Sequence, residues 1–174
     1  VNKKYPLIEL MHGGPHTMNQ DNWSYRWNSH VFAAPGYIVT WVDRHGSTGF
    51  GEKVAMSILN QWGDMPFEDI MKSTDYLLKR FPNIDPQRMA AAGGSYGGYM
   101  AAWVLGHTDR FKAIIDHAGV NDSYAQYATD VPHGFPQVMG GTPWGDVAGL
   151  QKQNPMFYAK NFKTPTLIIH GELD

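Results

Sequence analysis

Short runs of consecutive apolar residues alternate along this chain with stretches in which apolar residues recur every three or four positions. The runs fall at residues 7–11, 37–42, 88–92, 113–117 and 166–170. Each is short and rich in Ile, Val, Leu or Ala, which predicts five strands, with residues 88–92 a buried one. Helical spacing is clearest after Pro66, where Phe67, Ile70, Met71, Thr74, Leu77, Leu78 and Phe81 mark one face. Pro66 suits a first helical position and Pro82 a stop. Residues 24–34, with Trp23, Trp27, Val31 and Phe32 near that spacing, predict a crossover helix, and residues 99–105 a buried one. Strands separated by helices or long connections imply an α/β fold with a doubly wound, mostly parallel sheet. The segment from Asn121 to Lys163, rich in Tyr, Pro and Gly, reads as irregular over its first half. It would lie over the C-terminal edge of the sheet, where ligands bind in such folds.

Between the third run and the buried helix lies Gly93-Gly94-Ser95-Tyr96-Gly97-Gly98. A serine on a sharp strand-to-helix turn, flanked by glycines two residues before and after, is the nucleophile elbow of an α/β-hydrolase. A serine hydroxyl needs a histidine to take its proton and a carboxylate to orient that histidine. In this fold the chain order is serine, acid, histidine. Asp174, just beyond the last strand in His170-Gly171-Glu172-Leu173-Asp174, is the expected acid, with Glu172 and Asp116 as weaker candidates. No histidine follows it, so the expected third member has no counterpart in these 174 residues; His117 and His170 read as structural strand-end residues. The oxyanion of an acyl-transfer intermediate needs two N–H donors. One is expected from the backbone of Tyr96. The other falls on Gly14, because the loop His12-Gly13-Gly14-Pro15 after the first strand matches the glycine loop that supplies it in esterases and lipases. His12 and His16 are four apart, but Gly13, Gly14 and Pro15 forbid the helix that would align them on a metal.

Composition narrows the partners. The chain is 43% hydrophobic and 17% charged, with a formal net charge of −2 and no basic run, which argues against nucleic acid and membrane surfaces. It has no cysteine, hence neither disulfide nor thiolate chemistry. The glycine-rich loops lack the spacing of a phosphate-binding loop. A homo-oligomer is compatible with the sequence, and the compartment, cytoplasmic or secreted, is left open.

The segments Leu10-Met11-His12-Gly13-Gly14-Pro15-His16, Gly46-Ser47-Thr48-Gly49-Phe50-Gly51, Gly93 to Met100, Gly140-Gly141-Thr142-Pro143-Trp144 and Pro165 to Asp174 together resemble the catalytic domain of the prolyl oligopeptidase family. Within it, they are most similar to the acylaminoacyl-peptidase and dipeptidyl-peptidase V branch. The resemblance implies Ser95 as nucleophile, Asp174 as triad acid, and Gly14 and Tyr96 as oxyanion donors. It also implies that Tyr124 and Tyr127 wall the pocket for the residue before the scissile bond. A short peptide would be the substrate, and no metal or organic cofactor would be needed. It further implies an N-terminal β-propeller and a triad histidine further along than Asp174, so that residues 1–174 read as part of a catalytic domain incomplete at both ends. One position departs from the family pattern: His45 stands where an arginine usually precedes Gly-Ser-Thr-Gly, and Arg44 comes one place earlier. A carboxylic-ester hydrolase with the same machinery and a noncatalytic hydrolase-like binding domain are the alternatives.

Overall fold

The computed structural model describes residues 3–21 and 23–174. Five strands, β1 (Tyr5–Met11), β2 (Ile38–Trp41), β3 (Ile84–Gly94), β4 (Ala113–His117) and β5 (Thr166–Ile169), form one sheet in the order β2-β1-β3-β4-β5. All four pairings are parallel. The strand order therefore reverses between β1 and β3, and the crevice beyond their C-terminal ends is where such sheets bind ligands.

Alternation along β1 explains why its apolar run is nearly continuous. Leu7 and Met11 join a large core with Met89 and Ala91 of β3, beneath the helices. Ile8 and Leu10 point the other way, toward Ala92, Trp27, Phe32, Val39 and Trp41. Both faces of the central strands are covered, as a parallel sheet requires.

The helices are α1 (Ser29–Ala33), α2 (Glu52–Ala55), α3 (Asp64–Arg80), α4 (Tyr96–His107), α5 (Ser123–Thr129), α6 (Phe135–Met139) and α7 (Val147–Gln153). Two 3₁₀ segments, Met56–Ile58 and Pro155–Asn161, complete the set. α3 is amphipathic and buries Pro66, Ile70, Thr74 and Leu77. It begins at Asp64, two residues before the start expected at Pro66, because the first turn tolerates a missing N–H and so allows proline at its third residue. α4 is buried from Tyr96 through Gly106, which is why its sequence is apolar all round.

Two expectations are corrected. The crossover helix shrinks from residues 24–34 to Ser29–Ala33, because Asn28 caps it, accepting from the amides of His30 and Val31. The preceding tryptophans serve a loop. The segment after β4 is helical, holding α5 and α6: Asp122 caps α5, and Gly140, at φ 85°, ends α6.

Candidate active site

Ser95 is the turn between β3 and α4, and its backbone lies at φ 59°, ψ −121°, a conformation costly for any residue with a Cβ. The neighbours explain how it is enforced. A Cβ on Gly93 would collide with the carbonyl of Gly97, and one on Gly97 with the carbonyl oxygen of Met11. The Ser95 amide donates to His117 O at 2.9 Å, tying the turn to β4. The outcome is an exposed serine between buried neighbours, Ala91 to Gly94 on the strand side and Tyr96 to Met100 on the helix side.

The loop after β1 reaches this turn directly. An added Cβ on Gly13 would lie 3.3 Å from Ser95 Cβ and 3.0 Å from Gly94 O. Gly14 has φ 118°, reserved for glycine. Among the described residues, neither the Gly14 nor the Tyr96 amide donates a hydrogen bond within the protein. The structure thus brings Ser95, Tyr96 and the Gly13–Gly14 loop together at the β1/β3 crevice.

His12, at the root of that loop, is buried. Its Nδ1 lies 2.8 Å from Gly13 O and its Nε2 2.8 Å from Ser47 Oγ. Burial first, and then the Arg44 charge, lower its pKa to about 4, so it is neutral. Tyr96 is buried between Trp62, at 5.1 Å between ring centroids, and Arg44. Its hydroxyl donates to Trp62 O at 2.6 Å, and burial pushes its pKa far up. The departure at residues 44–45 is thereby explained: Arg44 enters the interior, while His45 Nδ1 meets Asp69 Oδ2 at 2.6 Å on the half-exposed side.

Asp174 is exposed in the loop after β5, at the same sheet edge as Ser95 and separated from it by β4. Its Oδ2 lies 3.8 Å from His170 Nε2. Asp116 is a different kind of group. It is buried against α4, accepts from Asn121 Nδ2 at 2.6 Å, and has its pKa raised by burial. Tyr124 and Tyr127 lie on α5, half-buried; Tyr127 packs edge-on against Phe135 and Trp144, and Tyr124 against Phe157.

A cavity of about 630 Å³ opens beside the turn, lined by Gly13 and Gly94 and walled by Trp23, Trp27, Trp41 and Asp21. Sequence reasoning missed it. Trp27 abuts Gly94, where an added Cβ would lie 2.8 Å from its ring. The Trp23 and Trp27 spacing was the available signal, and it reads equally well as a helix.

A strained, exposed serine on a strand-to-helix turn, at the reversal point of a doubly wound parallel sheet, defines an α/β-hydrolase fold. The sequence profile of the prolyl oligopeptidase family matches residues 23–174, and the chain belongs to that family. It is 40% identical over 179 residues to dipeptidyl-peptidase 5 of Porphyromonas gingivalis, covering 99% of this chain and 26% of that protein. It is 39% identical over 180 residues to a probable dipeptidyl-peptidase 5 of Aspergillus terreus, covering 99% and 24%. The uncomplexed acylaminoacyl peptidase of Pyrococcus horikoshii superposes with a TM-score of 0.92 at 36% identity, covering 99% of this chain and 28% of that one. The chain thus spans about a quarter of the length of these relatives.

Proposed function

We propose that this chain carries the nucleophile, the oxyanion site and the acid of a serine peptidase that cleaves short peptides. The observation that carries the reading is Ser95 itself, exposed at φ 59° beside two amides, of Gly14 and Tyr96, that donate to nothing among the described residues. Its hydroxyl oxygen attacks the scissile carbonyl carbon as a histidine accepts the hydroxyl proton. The developing oxyanion accepts hydrogen bonds from the Gly14 and Tyr96 N–H groups. Collapse expels the amine, which takes the proton from histidine, and water then hydrolyses the acyl-serine by the same route. Asp174 orients the histidine, which is supplied from beyond Asp174, and a β-propeller in the same protein limits access. Dipeptidyl- and acylaminoacyl-peptidase relatives make a short peptide the substrate class. Tyr124 and Tyr127 wall the site for the residue before the scissile bond. The reaction uses no metal or organic cofactor.

The test is incubation of the full-length protein with a peptide library and mass-spectrometric identification of the released pieces. Short N-terminal pieces should appear with wild type and vanish with Ser95→Ala. Turnover by Ser95→Ala at wild-type rate would remove Ser95 from the mechanism, and cleavage confined to esters would replace the peptidase by an ester hydrolase.

A further inference from the structure

Arg44 is a guanidinium 1% exposed, in the loop after β2, with no carboxylate in salt-bridge contact among the described residues. Burying a charge on these terms is expensive, and an apolar residue of like volume would serve a purely structural role more cheaply. What it touches is specific. Its Nη2 donates to His12 O at 2.8 Å, and its Nη1 lies against the His12 ring, 2.7 Å from Nε2 and 3.3 Å from Nδ1. Its Cζ sits 4.5 Å from the centre of the Tyr96 ring.

These contacts lead to both amides of the oxyanion site. A carbonyl oxygen only accepts, so His12 Nδ1, facing Gly13 O, carries the proton, and Nε2 accepts from the Ser47 hydroxyl. Gly13 O is therefore held at 2.8 Å by His12 Nδ1–H and at 2.9 Å by the Thr17 hydroxyl. That carbonyl and the Gly14 N–H belong to one trans peptide plane and point in opposite directions. Fixing the first aims the second. The other amide belongs to Tyr96, whose ring lies under the Arg44 guanidinium and packs edge-on against Trp62. The two amides come from different loops, and Arg44, from a third, braces both.

We propose that Arg44 is a positioning residue that aligns the two oxyanion donors: Gly14 N–H through the backbone carbonyl and ring of His12, and Tyr96 N–H through its aromatic ring. This rests on the serine-peptidase reading above. Donors act at about 2.7–3.1 Å from the oxyanion, so small misalignment costs rate rather than substrate binding.

The experiment compares full-length wild type with Arg44→Lys, which keeps the charge but cannot span His12 and Tyr96, and with Arg44→Ala in the presence and absence of guanidinium. Competent sites are counted by fluorophosphonate titration, so rates are per site and misfolded molecules drop out. We expect kcat per site to fall about 10²-fold in both variants with KM changed less than about threefold. The inhibition constant of a peptide aldehyde, whose tetrahedral adduct places an oxyanion in the site, should rise in parallel. Guanidinium, but not ethylammonium, should restore Arg44→Ala by at least about tenfold. The proposal is overturned by a per-site kcat near wild type, including the case where only the number of titratable sites falls, or by a lost kcat with unchanged aldehyde affinity. Wild type that takes no fluorophosphonate on Ser95 would instead remove the underlying reading.

Discussion

At Ser95 the backbone accepts a conformation at φ 59° that a side chain ordinarily avoids, and the glycines around it exist to allow this. Gly93 and Gly97 are demanded by collisions with Gly97 and Met11 carbonyls, so their identity is written into the chain and the turn is readable before any fold is known. The same holds for Gly14 at φ 118°. Arg44 is the opposite case. Nothing local in Asp43-Arg44-His45 tells which of the two basic residues turns inward, because the choice is made by His12 and Tyr96, which come from the end of β1 and the start of α4. Asp174 lies in between: its place after β5 follows from strand order, but its partner does not. Asp174→Asn should leave the fold intact, since the side chain is exposed, and lower kcat by orders of magnitude, about 10⁴-fold if it orients the triad histidine. Circular dichroism and steady-state kinetics on the full-length protein check this; near-wild-type turnover would move the acid elsewhere.

Between β1 and α3 a second buried carboxyl makes the strand pH-sensitive. Glu9 is fully buried, and burial raises its pKa to about 7. The Thr74 hydroxyl lies 2.8 Å from Glu9 Oε2 and 2.7 Å from Ile70 O, and its single proton satisfies one of them, so a proton on Glu9 completes the chain of bonds. From about pH 4.5 to 7 the folded protein keeps a proton that the unfolded chain releases, and stability falls as pH rises through that window. His12 acts in the opposite sense. With a pKa near 4 it stays neutral while the unfolded chain gains a proton, so its contribution falls as pH drops from 6.5 to 4. Over their overlap the two slopes cancel. Glu9→Gln should remove one of them, so the variant should gain on wild type as pH rises from about 4.5 to 7, by up to about 3 kcal/mol. Urea unfolding of both proteins at about pH 5 and pH 8 measures it, and a constant difference would contradict it. Element boundaries were legible where a short apolar run stands out from its flanks, as in β4, whose five residues match the run. They were not legible where apolar residues serve a loop: Trp23 is 66% exposed, and Trp27 packs on the elbow rather than along a helix. α5 and α6 escaped notice because short helices depend on caps and tertiary packing more than on composition.

Over the whole molecule, the parallel pairing follows from alternating strands and helices, and the reversal of strand order between β1 and β3, which the structure supplies, puts the Gly13–Gly14 loop and Ser95 at one crevice. That juxtaposition is the reason separate segments of sequence point to one chemistry. Among the described residues no helix is long and apolar enough to cross a membrane. β5, at the sheet edge, carries exposed Leu167, Ile168 and Ile169, in contrast to the buried C-terminal half of β3. The aromatic cavity beside the elbow was not legible in the sequence, since its walls come from Trp23, Trp27 and Trp41, which only the folded chain brings together. The central claim is that Ser95 is an activated nucleophile. Covalent labelling of the full-length protein with a fluorophosphonate, located by peptide mass spectrometry, tests it most directly. One label per molecule on Ser95, lost in Ser95→Ala, is the predicted result; a well-folded protein that takes no label there would contradict it.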